Sequence, residues 1–451
     1  MRFAIPGHIP PRARSDPESL HPMNSFLLHN LRLLDPEAGR CLPGQKVLIE
    51  SGRFTAVGPD IQAPDGVTTV DLGGRVLMPG LIDCHVHVLS IKTKWANTTL
   101  MHMPHSLANA GAARKMRAIL SRGFTTVRDA AGADMGHRDA VEQGLLIGPR
   151  MFVSGRGISQ TGGHGDFRTR VDHAHPCGCH HLSVGLTGGI ARIADGIDEV
   201  RRAVRDEIRL GVDQVKIFAS GGVGSDADPI HFNQFSLEEM RAIVEEAENG
   251  ATYAMAHAYT ADAITRAVGC GIRTIEHGNF LDDRSAELMV RHDAHFVPTL
   301  VAYEATQLHG RAQGYPEQNL VKNAKVLAVG TQSLEVAQRH GVRTAFGTDL
   351  MGELDDFHSM EFEIRARVLP NDEIIRQATI NGAAVLRREG ELGVIAEGAL
   401  ADAIVLDGDP LEDIGLLASG GADMRAIIKD GRIYKDEIGL GLGLEELTEN
   451  D

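Results

Sequence analysis

From Met23 to Pro79 the chain alternates apolar and polar positions in short runs: FLLHNLRLLD, QKVLIESGRFTAVG and TTVDLGGRVLM. Gly and Asp-Gly turns separate them, and a period of two between turns predicts the strands of a small antiparallel unit. The same texture returns near the end in ADAIVLDGDP and MRAIIKDGRIY. The two ends, residues 23–79 and 389–437, are therefore expected to join into one β-sandwich. Between them, over residues 80–388, the pattern changes. Eight short apolar runs recur: LIDCHVHV (81–88), TTVRDA (125–130), RMFVSG (150–155), QVKIFAS (214–220), TYAMAHAY (252–259), RTIEHG (273–278), AHFVPTL (294–300) and RTAFGTD (343–349). Segments with a 3.6-residue period, such as DEVRRAVRDEIRLG and SLEEMRAIVEEAENG, lie between them. Eight strands alternating with helices predict an α/β fold, a (β/α)8 TIM-like barrel.

Composition narrows the function. The 451 residues are 43% hydrophobic but only 4% aromatic, so Val, Ile, Leu and Ala must fill the core. The formal charge is 45 − 61 = −16, which argues against nucleic acid or an anionic membrane as the main partner. No run approaches the ~18 apolar residues of a membrane span. Residues 1–22, MRFAIPGHIPPRARSDPESLHP, lack the apolar stretch of a secretory signal and are expected to form a disordered extension. The five cysteines are odd in number and scattered, which fits a reducing cytoplasm.

Barrel strands deliver functional side chains at their C-terminal ends. Those ends carry His85 and His87, then Lys216, His257, His277 and Asp349. Residues two apart on a strand point the same way, so His85 and His87 converge, and imidazole suits zinc and similar ions. His257 and His277 each end a strand-like run. Asp349 is read as a ligand, or as a helix N-cap. Lys216 lies inside VKIF, where burial favours the neutral amine. A neutral amine can take up carbon dioxide as a carbamate and bridge two metals ~3.5–4 Å apart; an ordinary ion pair is the alternative. The segment DHAHPCGCHH, which includes Cys177 and Cys179, is a structural lid loop or a separate zinc clasp. The glycines of SGGVGS (220–225) lack a P-loop ending and are expected to let backbone amides approach the substrate.

These residues resemble the amidohydrolase superfamily, in particular its binuclear subgroup with a carboxylated lysine. The motifs that carry the likeness are MPGLIDCHVH, FTTVRDAAG, SQTGGHGD, VKIFASGGVGS, AHAYTADAI, RTIEHG, FGTDL and GALADAIVLDGDPL, from about Ser25 to Tyr434. Within it the chain is similar to prolidase-like, carboxypeptidase-like and ochratoxin-hydrolysing amidohydrolases. The resemblance implies that His85, His87 and Asp349 hold one ion and that His257 and His277 hold the other. Carboxylated Lys216 would bridge them, with zinc the usual metal. It also implies that His164 and Tyr259 contact the substrate and that the chain forms homo-oligomers, commonly octamers.

On that reading two divalent ions against a carbamate, Asp349 and a bridging hydroxide leave the site with about +1. A positive, partly dry site favours a substrate with a carboxylate beside the scissile bond. The expected activity is hydrolysis of such an amide, as in Xaa-Pro or other dipeptides, N-acyl amino acids or ochratoxin-like amides. The bridging hydroxide attacks and Asp349 moves the proton. Tyr259 steadies the oxyanion or packs in the core. His164 contacts the substrate or faces solvent. Arg168 and Arg170 follow it, and either could clamp a carboxylate. Alternatives are a hydrolase of carbamates or urea-type xenobiotics, and a mononuclear deaminase. The deaminase would want a glutamate three residues after His257, where Thr260 stands. A non-enzymatic scaffold is a third class, disfavoured because all six ligands are present.

Overall fold

The computed structural model describes residues 25–95, 103–168, 190–225 and 228–440. The expected extension 1–22, the loop with Cys177 and Cys179, and Arg170 lie outside the described residues.

Both ends of the chain meet in one sheet. Strands Phe26–Asp35, Arg40–Glu50, Arg53–Gly58, Thr68–Asp71 and Val76–Pro79 are joined by Ala403–Leu406, Met424–Lys429 and Arg432–Asp436. The junction is antiparallel, Pro79 opposite Ala403 and Val76 opposite Leu406. The eight strands are hydrogen-bonded into a single sheet. Its far strand curls back, with Phe54 N–H donating to Ala399 O (2.9 Å) and Gly398 N–H to Phe54 O (2.8 Å). Alternation along the junction strands fills two cores. Leu77, Ala403, Val405, Ala426 and Ile428 pack within the sheet unit. Val76, Met78, Ile404, Leu406 and Ile427 pack against Met116, Ile119 and Phe124 of the middle region.

The middle region is built of parallel strands. Leu81–Val86, Phe124–Asp129 and Arg150–Val153 form one set. A second runs in the order Ala191–Ile193, Gly157–Ser159, Val215–Phe218, Ala254–Thr260, Thr274–Phe280, His295–Val297. Their residues are buried on both faces, as in Leu81–Val86 and Val215–Phe218, the mark of a parallel sheet covered by helices. Helix Leu237–Asn249 shows how the cover forms. Ser236 and Glu239 make a reciprocal capping box, and Met240, Ile243 and Ala247 share the buried stripe.

The run RTAFGTD is not a regular strand. It is extended, and Phe296 and Ala345 bond it to one neighbour (Phe296 N to Arg343 O, 2.9 Å; Ala345 N to Phe296 O, 2.8 Å). Cys84 N to Phe346 O and Asp349 N to His85 O, both 2.8 Å, bond it to the other. Phe346 N–H turns instead to Gln377 O, and Asp349 adopts φ 52°, so a continuous ladder cannot form. On the other side of the two sets, Asp213 N–H donates to Val153 O at 2.8 Å. Among the described residues no helix is long and apolar enough to cross a membrane.

Candidate active site

His85, His87, Lys216, His257, His277 and Asp349 line one cavity, together with His164 and Tyr259. His85, His277 and Asp349 offer ligand atoms that all lie within 4.8 Å of one another. His87 Nε2 is 3.1 Å from Asp349 Oδ1, and His85 Nε2 is 3.4 Å from the same oxygen. The His257 ring centroid is 4.6 Å from that of His277. Asp349 thus stands between the first-strand pair and His277, while His257 and Lys216 close the cluster from neighbouring strands.

Each of the four imidazoles is anchored through one ring nitrogen. His85 Nδ1 meets Glu276 Oε2 at 2.7 Å, and His87 Nδ1 meets Ala131 O at 2.8 Å. His277 Nδ1 meets Thr299 Oγ1 at 2.8 Å, and His257 Nε2 meets Gly221 O at 3.2 Å. Anchoring one nitrogen fixes the tautomer and presents the other as a lone pair. His85 Nε2 is buried without a hydrogen-bond partner, which is costly unless a cation takes it. Burial holds His257 and His277 well below the ordinary histidine range, so both stay neutral. Neutral imidazoles, a carboxylate and an orphaned nitrogen together fit a divalent metal.

Two of these residues sit in strained backbone. His277 has φ 72° and Asp349 φ 52°, both left-handed and neither glycine. In a regular strand Glu276 and His277 would face opposite ways. The twist at His277 breaks that alternation. Glu276 reaches His85 by its hydrogen bond, and the His277 ring lies 4.9 Å from the His85 ring.

Glu276 is fully buried and doubly bonded by Arg128, with Nη2 at 2.8 and 2.9 Å from its two oxygens. Burial opposes the charge, yet Arg128 and then His85 hold this carboxyl down at about 2. Arg128 Nε also donates to Cys84 O at 2.7 Å, so one guanidinium steers the strand that carries His85. Asp83 and Asp129 fix the adjoining turns: His85 N–H donates to Asp83 Oδ1 (2.9 Å) and Val88 N–H to Asp129 Oδ2 (2.8 Å).

Lys216 is 1% exposed, and burial pushes its ammonium down to about 8. A neutral amine is accessible at physiological pH, which is the state that carbamate formation needs.

His164 stacks on His257, with centroids 4.3 Å apart and rings 23° from parallel. Its Nδ1 meets Ser225 Oγ at 2.7 Å, and Ser225 in turn donates to Asp228. Any side chain at position 222 would overlap this ring, so Gly222 is needed for His164 to sit there. The glycine-rich turn therefore makes room for His164. Tyr259 OH and Tyr303 OH share a hydrogen bond of 3.0 Å, and Tyr303 reaches Thr299 at 3.3 Å. Tyr259 stacks on His277 at 5.3 Å. Arg168 does not line the cavity; Asp166 grips it through Nε (2.7 Å) and Nη2 (2.6 Å).

Glu276, Arg128, Asp83, Asp228 and Tyr303 were not singled out from the sequence. The first three are charges inside apolar strand runs, the same signal that marks Lys216. Asp228 and Tyr303 sit in a loop and a helix, where neither residue type is unusual.

The ochratoxinase of Aspergillus niger is 33% identical over 379 residues, covering 82% of this chain and 77% of that protein. A solved prolidase complexed with N-methylphosphonate-L-proline is 48% identical, with a TM-score of 0.88 and coverage of 92% of this chain and 100% of the other. A solved Xaa-Pro dipeptidase with methionine bound in its active site is 29% identical, with a TM-score of 0.81 and coverage of 91% and 100%. The amidohydrolase family profile matches residues 76–434, which include every one of the cavity residues named above. Enzymes of this family generally use divalent metals, and the donor set here suits one. With four anchored imidazoles, a strained aspartate and that match in agreement, the chain belongs to the amidohydrolase family.

Proposed function

We propose that the protein is a metal-dependent amidohydrolase that cleaves an amide bond next to a carboxylate, as in dipeptides, N-acyl amino acids or ochratoxin-like amides. The observation that carries the reading is the convergence of six donors, one an orphaned buried nitrogen, in a single cavity. On this reading the two parallel strand sets form a (β/α)8 barrel closed by residues 343–349. His85, His87 and Asp349 would hold one zinc ion and His257 and His277 the other, and Lys216, as a carbamate, would supply a further oxygen ligand. The chain works in the cytoplasm as a homo-oligomer.

When bound, the two ions would supply Lewis acidity, acidifying a shared water and polarising the scissile carbonyl. Asp349 takes the proton from the attacking water and returns it to the leaving amine. Tyr259 exchanges its hydrogen bond with Tyr303 for one to the developing oxyanion. His164, held through Nδ1, turns Nε2 towards the substrate. Because Asp166 occupies Arg168, the carboxylate is read by His164 and the positive field of the site. Thr260 supports a hydrolase over a deaminase: its side chain caps helix Ala261–Gly269, accepting from Ala263 N–H.

The test is one N-acyl amino acid compared with its C-terminal amide on metal-replete protein. The acid should be cleaved roughly 10- to 150-fold faster in kcat/KM, the scale of a lost charge-assisted contact of ~1.5–3 kcal/mol. Equal rates would favour a carbamate or urea-type substrate instead.

A further inference from the structure

The cavity has two unlike walls beside the ligand cluster. One is built after the earlier strands and carries His164, Phe167, Phe218 and Val223. The other is built after the last strands: Ala302, Tyr303 and Thr306 on helix Leu300–His309, Tyr315, and Leu350 and Leu354 after Asp349. None of the six side chains of this second wall carries a charge. Their polar groups are engaged with one another or with the framework. Tyr303 OH bonds Tyr259 and Thr299, and Tyr315 bonds Thr306. Asn323, which also lines the cavity, donates through Nδ2 to Tyr303 O at 2.9 Å, while its Oδ1 is buried without a hydrogen-bond partner. Behind the wall, Lys115 donates to Leu350 O at 3.0 Å and is matched by Asp355 at 3.2 Å. The six side chains are two tyrosines, two leucines, an alanine and a threonine, all uncharged. A charged substituent placed there would lose its water and meet no opposite charge among these six side chains, whereas an apolar one would gain burial.

We propose that the wall of Ala302, Tyr303, Thr306, Tyr315, Leu350 and Leu354 receives an uncharged aromatic or long aliphatic side chain from the acyl half of the substrate. This specificity rests on the hydrolase reading above. The wall also carries its own reporter. Trp95, the single tryptophan of the chain, packs edge-on against Tyr315 with ring centroids 4.5 Å apart. Filling the pocket should therefore change tryptophan emission whether or not any bond is cut.

The experiment uses the metal-loaded full chain and N-acyl-alanines with four acyl groups: 3-phenylpropanoyl, 4-methylpentanoyl, 5-aminopentanoyl and glutaryl. The first two should exceed the last two by ~10-fold or more in kcat/KM. In parallel, the four corresponding free acids, which contain no amide to cleave, are titrated against Trp95 emission. The two acids with apolar tails should shift it at concentrations ~10-fold below the two whose tails end in an ammonium or a second carboxylate. Tyr315→Ala should narrow both ratios, and Tyr315→Phe should keep them. Equal rates and equal titrations across the four groups would overturn the proposal. If no acyl-alanine is cleaved but the acids with apolar tails still titrate preferentially, the pocket stands and the hydrolase reading falls.

Discussion

Arg128 and Arg150 stand on adjacent strands, 0% and 3% exposed, and each grips carboxylates. Arg128 lies near the end of its strand and holds Glu276, whose other partner is His85. Arg150 begins its strand and holds Asp402 and Asp430 of the terminal sheet, meeting Asp402 Oδ1 at 3.1 Å. The chemistry is the same and the consequence differs. At the C-terminal end of a parallel strand a buried ion pair orients a candidate ligand; at the N-terminal end it fastens two parts of the molecule together. Position along the strand decides which.

The most severe test on the ligand side is Lys216→Ala. Activity and metal content should fall together to background, and short carboxylic acids should partly restore both by replacing the bridge. Elemental analysis beside a rate assay decides it, and full activity would remove Lys216 from the mechanism. The two arginine clusters are compared directly by Glu276→Gln and Asp402→Asn. Each leaves a buried guanidinium short of its partner, so each should cost ~3–5 kcal/mol in denaturant unfolding. Only Glu276→Gln should also lose ~10–100-fold in metal affinity or activity, the usual scale for an outer partner of a metal-binding histidine. If Asp402→Asn loses metal equally, the distinction between the strand ends collapses.

Asp349→Asn keeps the shape and removes the proton acceptor, so turnover should drop by ~10²-fold or more. Metal must be measured alongside, because Asp349 is also a proposed ligand. The smallest effect is on acid stability. The Glu276 carboxyl sits at about 2 in the folded state against 4.5 ordinarily. A depressed carboxyl contributes stability above its unfolded value and loses it as pH falls towards the folded one. Unfolding midpoints at about pH 5 and pH 3 should therefore differ less in Glu276→Gln than in the parent chain, the part of the slope due to this group being gone.

Much of this was legible in the chain itself. The runs that carry His85, His87, Lys216, His257 and His277 overlap the strands found, because buried parallel strands are apolar throughout and a polar residue inside one stands out. The three-residue strands Gly157–Ser159 and Ala191–Ile193 were not foreseen, since so short a run has no period. RTAFGTD looked like a strand because its apolar content is right; its backbone partners, which interrupt it, are distant in sequence. The pairing of Arg168 with Asp166 is local and was open to view, two residues apart. What singled out Arg168 was its charge, and charge alone says nothing about which neighbour claims it. The left-handed turns at His277 and Asp349 have only a weak signal in residue type: Asp and His enter that region more often than most residues, yet most of them do not.

The antiparallel seam between Val76–Pro79 and Ala403–Leu406 also sets a schedule for biosynthesis. Residues 80–402, 323 of them, must leave the ribosome between the two halves of that seam. At ~5–20 residues per second this is roughly 16 to 65 s during which the Val76–Pro79 edge has no strand to close it. An open apolar edge is a template for misassembly with other nascent chains. A chain arrested before Ala403 should therefore be cut readily by protease within its first strands, and one released after Asp436 should resist. Expression yield in this protein is expected to depend on how that interval is covered, and to fall sharply for any truncation that removes the final three strands.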